Sequence, residues 1–277
     1  MASIIHLHEI GYTDNKLSCI IHFIIKNLRK QDIINKMAQI RWLESGEPFS
    51  EQFQDFYFST DGGLQETEYV FLQQNGFPRR FAEPQSRLLK IGETGFGTGL
   101  NFLVTAYHFL KSTRLNSTLS YTAIEKYPLS KSQLEQVYYT FNRTWPQLTA
   151  CCSELLQYYP EDFNRSNNSV QFKLFAGRIV LNLIIDDAAT GLKQFLALNK
   201  NQKMDAWYLD GFAPAKNPEM WHQDLFKTLA KLSRTGTTIS TFTSAGMVRR
   251  GLIEAGFKMS KVPGLGKKRE ILSGVIE

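Results

Sequence analysis

The feature that most constrains the fold is the stretch LLKIGETGFGTGLNFL, residues 88–103, in which three glycines alternate between two apolar runs. The first run has the length of a strand and the second continues into a helix-length segment, so the glycines fall at a strand-to-helix turn. Glycine permits positive φ angles there and lets a ligand approach the backbone closely. The following helix points unpaired N–H groups at the same place. The stretch therefore predicts a ligand-binding turn at the end of a buried strand.

Strand-length apolar runs alternate with helix-length segments along most of the chain. The predicted strands are residues 88–91, 119–124, 171–175, 179–185, 206–209, 237–242 and 271–275. The predicted helices are residues 99–111, 130–141, 220–232 and 244–255. This alternation predicts an α/β fold, with a mostly parallel, twisted sheet and helices on both faces. Ligands of such sheets bind beyond the carboxyl ends of the strands.

Composition excludes several other classes of protein. The 277 residues are 43% hydrophobic and 21% charged, which is ordinary for a globular protein. The apolar runs are shorter than the roughly 20 residues needed to cross a bilayer. Three cysteines, two of them adjacent, fit neither a disulfide framework nor a zinc site. We therefore predict a cytoplasmic protein with no membrane partner and no metal.

The first 36 residues differ from the rest of the chain. They contain three of the five histidines and neither proline nor tryptophan. Our hypothesis is that Met37 is the true start and that residues 1–36 are an N-terminal extension, either not native or poorly ordered. Residues 37–277 are predicted to form the functional domain.

The glycine turn matches neither of two common nucleotide-binding loops. A P-loop ends in Gly-Lys-Ser/Thr, where this chain has GLN, and a dinucleotide fingerprint would need a glycine where leucine stands. What remains is an acid, Glu93, followed by Gly95, Gly97 and Gly99. This pattern is similar to the first motif of class I methyltransferases that use S-adenosylmethionine. The similarity implies that the loop wraps the methionine half of the cofactor and that the acid faces its ammonium group.

Acidic side chains also end two later strands of the predicted sheet. Glu125 follows the run before EKYPL, and a carboxylate there can accept hydrogen bonds from both ribose hydroxyls of a nucleotide. The pair Asp186 and Asp187 follows RIVLNLII. In this fold class an acid at that place usually accepts from the adenine amino group. The sequence leaves open which of the two does so.

The most specific motif is DAWYLDGFAPAKNPEMW, residues 205–221. A short strand ends at Asp210, and prolines stiffen the loop that follows it. Asp210 is predicted to lie beside the methyl group to be transferred, where it takes a proton from an amine acceptor or orients it. An alkylammonium ion has a pKa of about 10, so the amine is charged near neutral pH unless a group such as Asp210 helps to remove its proton. Phe212 is predicted to stack on an acceptor base. The density of glycine, proline and aromatic residues disfavours the alternative that Asp210 is only a helix N-cap.

The C-terminal part of the chain is basic. Between residues 246 and 269 there are seven lysines and arginines and one acid, Glu254. Such a cluster fits either a solvated face or contacts with RNA phosphates.

Several segments together resemble the methyltransferase domain of the MnmC family, from about residue 41 to the C-terminus. They are ETGFGTGLNFL, EKYPL, LDGFAPAKNPEMW, FTSAGMVRRGL and GLGKKREIL, together with the earlier FYFSTDGGLQETEYVFL. The resemblance implies a Rossmann-like class I methyltransferase fold. It also implies methyl transfer from S-adenosylmethionine to the amine of 5-aminomethyl-2-thiouridine at the wobble position of tRNA. Family members often carry an FAD-dependent oxidoreductase domain as well. Because no second dinucleotide loop is visible here, we expect that partner as a separate or fused protein.

The resemblance and the motifs together predict the site residues. Asp210 is the predicted catalytic residue. The predicted cofactor-binding residues are Glu93, Thr94, Gly95, Phe96, Gly97, Gly99, Asn101, Glu125, Lys126, Asp186, Asp187 and Asp210. The predicted tRNA-binding residues are Phe212, Pro214, Lys216, Asn217, Arg249, Arg250, Lys267, Lys268 and Arg269.

Three alternatives remain open at this point. A class I methyltransferase could act on another acceptor, such as a small amine or a protein side chain, although the basic cluster favours RNA. A non-catalytic Rossmann-like module could bind a nucleoside or RNA, although Asp210 and its proline-rich loop favour chemistry. An aminopropyltransferase would share the glycine loop but would need more acids to hold a polyamine.

Overall fold

The computed structural model describes residues 37–44, 46–58, 62–83, 87–113, 116–163, 168–266 and 268–277. Residues Ala38–Glu277 belong to one structural unit. The hypothesis about residues 1–36 and the predicted role of Lys267 lie outside the described residues. Among the helices of the described ranges, none is long and apolar enough to cross a membrane.

Short elements precede the main sheet. Three strands form a small antiparallel sheet in sequence order: β1 (Ile40–Trp42), β2 (Pro48–Ser50) and β3 (Asp55–Phe56). The helical segments that follow are α1 (Gly63–Thr67), a π-helical segment (Glu68–Leu72), a 3-10 turn (Gln73–Asn75) and α2 (Arg79–Ala82). Sequence periodicity does not predict these elements, because each is too short to show a period.

The main sheet contains eight strands within the part of the chain that the structure describes. They are β4 (Leu88–Thr94), β5 (Thr118–Glu125), β6 (Ser169–Leu174), β7 (Ile179–Ile185), β8 (Ala206–Leu209), β9 (Thr238–Thr241), β10 (Phe257–Pro263) and β11 (Glu270–Ile276). Their spatial order is β10–β11–β9–β8–β4–β5–β7–β6. The five strands from β9 to β7 are parallel, and the outer pairings are antiparallel. The predicted α/β fold is confirmed.

Within the described ranges, six longer helices cover the two faces of this sheet. They are α3 (Leu100–Ser112), α4 (Lys131–Thr144), α5 (Thr149–Tyr158), α6 (Ala188–Leu198), α7 (Gln223–Lys231) and α8 (Gly246–Ala255). Along β8, successive side chains alternate between two buried clusters: Ala206 and Tyr208 join one, Trp207 and Leu209 the other. Because neighbouring strand residues point to opposite faces, both faces of the sheet are buried, as a parallel sheet requires.

The helix boundaries follow local sequence signals. Ser130 caps α4, because its hydroxyl accepts the Gln133 N–H while the Gln133 side chain accepts the Ser130 N–H. The helix predicted from residue 220 begins later, since residues Pro218–Met220 form a 3-10 turn and His222 is the N-cap of α7. The sequence analysis did not predict α5, α6 or the antiparallel strand β10.

The order of strands reverses beside β4. From β4 the chain proceeds to β5 and β7 on one side, and then to β8 and β9 on the other. This is the topological switch point at which such sheets bind ligands. Thr94 and Asp210 meet there: the Thr94 hydroxyl donates to the Asp210 carbonyl oxygen at 2.8 Å and accepts the Asp210 N–H at 3.1 Å. The ends of the two central strands are thereby joined.

Candidate active site

A cavity of about 650 Å³ lies at this edge of the sheet. It is lined at the ends of four adjacent parallel strands by Gly95, Glu125, Asp186 and Asp210. Its volume is in the range of small-molecule and cofactor sites. The structure thus brings together the acids that the sequence places after separate strands.

The glycine turn forms the floor of the cavity. Its three glycines have φ angles of +74°, +52° and +75°, a region that residues with a Cβ rarely adopt. A Cβ on Gly95 would lie 2.9 Å from the Gly211 Cα and 3.0 Å from the Asp210 carbonyl oxygen, and one on Gly97 would lie 3.3 Å from the Tyr57 ring. The turn therefore needs glycine because neighbouring protein segments approach it closely, in addition to its backbone conformation.

Glu125 is held against the glycine turn. Its Oε2 accepts the Gly97 N–H at 2.8 Å, and its Oε1 accepts the Tyr127 N–H at 2.8 Å. Burial raises the pKa of this carboxyl group, and the backbone donors oppose that rise. Each carboxylate oxygen has more than one lone pair, so the fixed side chain can still accept hydrogen bonds from the cavity.

Glu93 lies beneath the turn and does not line the cavity. Strand side chains alternate, so Glu93 points to the same face as Ile91, toward α3. It is 1% exposed and accepts hydrogen bonds from the Asn101 amide at 2.8 Å and from the Tyr121 hydroxyl at 3.0 Å. Burial, with the nearby Asp210 carboxylate, raises the pKa of Glu93 well above its ordinary value. This position does not match the predicted contact with the ammonium group of a cofactor.

Asp210 is half-buried and opens onto the cavity. Its Oδ1 accepts the Gly211 N–H at 2.8 Å, and its Oδ2 accepts from the Asn101 amide at 2.6 Å. Burial raises the pKa of Asp210 to about 6, against the effect of these two hydrogen bonds. The side chain is therefore a fixed carboxylate near neutral pH, suited to binding a cation or accepting a proton. It caps no helix, since the next helix, α7, has His222 as its N-cap.

Asp186 and Asp187 both line the cavity but differ in their partners. Asp187 is the N-cap of α6: its Oδ1 accepts the Ala189 N–H at 3.1 Å, and its Oδ2 lies 3.5 Å from the Lys126 ammonium group. Asp186 uses Oδ1 to accept the Asp187 N–H at 2.8 Å. Within the described ranges its other oxygen has no partner, so Asp186 is the better placed of the two to accept from a ligand.

An aromatic wall faces the acids. The Phe212 ring stacks on Phe53 with centroids 4.6 Å apart, and the Tyr57 ring meets it edge-on at 5.2 Å. The Trp221 indole N–H donates to the Phe212 carbonyl at 2.9 Å and so fixes the loop after β8. The sequence analysis did not identify Phe53 or Tyr57. Two signals were present in the sequence: the aromatic density of FQDFYF at residues 53–58, and the family resemblance of residues 56–72, which include Tyr57.

A salt bridge forms part of the cavity lining. Lys268, in the loop between β10 and β11, pairs with Glu66 of α1, and its ammonium nitrogen lies 4.7 Å from the centre of the Phe242 ring. All three residues line the cavity. The sequence analysis predicted Lys268 as an RNA contact but did not identify Glu66 or Phe242.

The predicted site residues fall into two groups. Those lining the cavity are Gly95, Phe96, Gly97, Asn101, Glu125, Lys126, Asp186, Asp187, Asp210, Phe212, Asn217 and Lys268. Those outside its lining are Glu93, Thr94, Gly99, Pro214, Lys216, Arg249, Arg250 and Arg269. Arg250 and Arg269 are exposed, as a contact with RNA phosphates requires. Among the described residues, no cluster of three or more His, Cys, Asp or Glu side chains could hold a metal ion.

The chain is similar in sequence to a family of methyltransferases and to several MnmC proteins. Residues 146–277 match the model of a family of S-adenosyl-L-methionine-dependent methyltransferases. The tRNA 5-methylaminomethyl-2-thiouridine biosynthesis bifunctional protein MnmC of Pseudomonas syringae pv. syringae is 49% identical over 244 residues, which is 87% of this chain and 35% of that protein. The protein of the same name from Vibrio campbellii is 45% identical over 247 residues, 87% of this chain and 36% of that protein. The chain thus spans about a third of the length of these relatives.

A solved structure supports the fold independently. The crystal structure of MNMC2 from Aquifex aeolicus matches with a TM-score of 0.60 at 20% identity, covering 100% of this chain and 82% of that one. At this level of identity the likeness concerns the fold.

Proposed function

We propose that the chain methylates tRNA, because residues 146–277 match a family of S-adenosylmethionine-dependent methyltransferases and two MnmC proteins are 49% and 45% identical to it. The acceptor is the amine of 5-aminomethyl-2-thiouridine at the wobble position, and the product is 5-methylaminomethyl-2-thiouridine. One observation carries this proposal: Asp210, fixed through both carboxylate oxygens, lies in one cavity with Glu125 on one side and the aromatic ring of Phe212 on the other.

The cavity residues fit S-adenosylmethionine. Bound there, the cofactor supplies an electrophilic methyl group on a positively charged sulfur. Glu125 would hold the ribose hydroxyls and Asp186 the adenine amino group, while the turn from Gly95 to Gly97 would follow the methionine part. The fit rests on the acids at the ends of adjacent strands, because carboxylates suit both a ribose diol and a cationic ligand.

Asp210 prepares the acceptor amine. An alkylammonium ion has a pKa of about 10 and carries no free lone pair. The surrounding rings of Tyr57 and Phe212 disfavour a charged amine by desolvation. Asp210 is ionised above a pH of about 6, so its carboxylate accepts a hydrogen bond from the amine nitrogen, orients it and receives its proton. The nitrogen lone pair is then available for the methyl group.

Basic groups in the C-terminal part of the chain are proposed to hold the tRNA. Lys268 lines the cavity, while Arg250 on α8 and Arg269, just before β11, are exposed. Lysine and arginine neutralise phosphates and release counterions, which gives affinity without sequence readout. We propose that this methylation takes place in the cytoplasm, where tRNA is modified. Because an aminomethyl group has to be made first, we propose an FAD-dependent oxidoreductase, separate or fused, as a partner.

Methyl transfer to tRNA tests the proposal directly. Labelled S-adenosylmethionine is incubated with the protein and with tRNA that carries 5-aminomethyl-2-thiouridine, and the nucleosides are then analysed by mass spectrometry. We expect a new 5-methylaminomethyl-2-thiouridine peak that depends on the protein. Cofactor binding without transfer to this tRNA would refute the acceptor and leave the fold and cofactor in place. A free amine or a protein added as competing acceptor distinguishes the other methyltransferase hypotheses.

A further inference from the structure

We infer that Asn101 is a positioning residue for Asp210 and that Glu93 is its buried support, and that neither contacts the cofactor with its polar groups. The inference rests on the proposed function for the role of Asp210. It goes beyond the motif, which predicted both Asn101 and Glu93 as cofactor-binding residues.

The Asn101 side chain is fully engaged with protein partners. A primary amide has two N–H donors and one carbonyl acceptor. Here Nδ2 donates to Glu93 Oε1 at 2.8 Å and to Asp210 Oδ2 at 2.6 Å, while Oδ1 accepts from the Thr67 hydroxyl at 2.9 Å. The two carboxyl groups also fix the orientation of the amide, because a reversed amide would turn its oxygen toward two other acceptors. Neither amide hydrogen remains for a cofactor.

The residues behind Asn101 are buried and connected. Exposure is 4% for Thr67, 6% for Asn101 and 1% for Glu93. Glu93 is held in turn by the Tyr121 hydroxyl at 3.0 Å, and Tyr121 is fully buried. Three members of this network line the cavity: Thr67, Asn101 and Asp210. Of these three, Asp210 is the one with a carboxyl group. The network thus extends from the packed sheet to Asp210.

The arrangement also affects how readily the two acids ionise. Burial and the nearby Asp210 carboxylate hold the pKa of Glu93 well above its ordinary value, and burial raises the pKa of Asp210 to about 6. Asn101 donates to the ionised form of Asp210 and so stabilises it, which lowers the pKa of Asp210 relative to the same site without the amide.

Other charged groups face Asp210 from neighbouring elements. Glu66 on α1 raises the pKa of Asp210 and Lys268 of the β10–β11 loop lowers it, both less than burial does. Glu93 on β4 lies behind it, and Glu125 on β5 acts on Glu93. All of these groups stay in place in Asn101→Ala and Thr67→Val, so a change in the titration of those two variants reports on the Asn101 amide.

The experiment measures cofactor affinity between about pH 5 and pH 9 by calorimetry, in the wild type and in Asn101→Ala, with Asp210→Asn as the reference that cannot ionise. We expect wild-type affinity to fall as pH drops through about 6, because the cationic cofactor loses a carboxylate. In Asn101→Ala the midpoint should move up by about one pH unit, since a hydrogen bond to a charged group contributes about 1.5 kcal/mol or more. Asn182→Ala, on β7, is the control for removing an amide elsewhere.

A second variant tests Glu93 separately. Glu93→Gln keeps the size of the side chain. Its oxygen can accept from Asn101 and its amide N–H can donate to the Tyr121 hydroxyl oxygen, so cofactor affinity at neutral pH should change by less than about twofold. Thr67→Val is the milder variant if Asn101→Ala proves unstable in thermal melting, and its midpoint should move in the same direction by less. An unmoved midpoint in both amide-network variants, or a tenfold loss of affinity in Glu93→Gln, would overturn the inference. Because the readout is cofactor binding, an inactive wild type counts only against the proposed acceptor.

Discussion

The two sides of the cavity are built from the chain in different ways. One side, here called the cofactor wall, consists of Gly95, Gly97, Glu125, Asp186 and Asp187, which lie at the ends of strands of the parallel sheet or just after them. The other, here called the acceptor wall, consists of Phe53, Tyr57, Glu66, Phe212 and Lys268. Glu66 and Lys268 are 202 residues apart in sequence.

This difference shows which parts of the site can be predicted from sequence patterns. A parallel sheet brings consecutive strand ends to one edge, so order along the chain becomes order in space. The acceptor wall has no such rule, because segments before and after the central strands meet only through tertiary packing. If the comparison is right, substitutions on one wall should change cofactor binding and those on the other should change tRNA binding.

The largest expected effect is at Asp210, which lies between the walls. Asp210→Asn keeps the shape and the hydrogen bond from Gly211 but removes the base, so turnover should fall by about 10²- to 10⁴-fold. Cofactor affinity near neutral pH should fall by less than about tenfold, because only one partly solvated charge is lost. Single-turnover kinetics and calorimetry measure the two quantities. Asp224→Asn on α7 is the control. Equal losses in both would assign Asp210 to the cofactor wall.

A smaller effect is expected at Gly95 on the cofactor wall. Gly95→Ala places a Cβ 2.9 Å from the Gly211 Cα at a φ of +74°, so the two loops have to separate. A displacement of this kind costs about 100-fold in turnover in a positioned site, and we expect weaker cofactor binding in calorimetry as well. Gly177→Ala is a matched control, with a φ of +82° and no atom within 4 Å of the added Cβ. Similar losses in both variants would mean that backbone strain alone, and not the contact between loops, explains the effect.

The smallest effect is expected at Lys268 on the acceptor wall. If its ammonium group contacts a tRNA phosphate, Lys268→Ala should weaken tRNA binding by similar factors for different tRNAs. It should also reduce the slope of log affinity against log salt by about one. Lys258→Ala is the control from the neighbouring strand β10, where Lys258 pairs with Glu277. Binding assays over a range of salt concentrations measure the slope. No change in slope would exclude Lys268 from the tRNA interface. A loss of cofactor affinity would mean that Lys268 also contributes to cofactor binding, against its assignment to the acceptor wall.

Much of the sheet could be predicted from the sequence because its strands are buried on both faces. The runs that lead to Glu125, Asp186 and Asp210 are mostly apolar, so the strand ends, and the acids that follow them, could be predicted directly. Strand β10 reads FKMSKVP and buries only alternate residues at its start. Its lysines belong to the basic cluster, and its alternation of buried and exposed residues is typical of a half-exposed edge strand.

The side chain of Glu93 shows a different limit. The motif gives the residue type and its place along the chain, but the face of the strand decides what the carboxyl group contacts. Glu93 shares its face with Ile91 and lies under α3, so an acid expected on the cavity wall is buried. The aromatic wall could not be predicted either, because Phe53 and Tyr57 belong to short segments without a period, and only packing brings them to Phe212.

The joined ends of β4 and β8 bear on how such an enzyme could be redesigned. The Thr94 hydroxyl bonds to both backbone groups of Asp210, and a Cβ on Gly95 would collide with the backbone of Gly211. The glycine turn after β4, proposed to bind the cofactor, and the loop after β8, proposed to bind the acceptor, are therefore structurally coupled and cannot be exchanged separately. An engineer seeking a new acceptor by loop grafting would have to transplant both segments together.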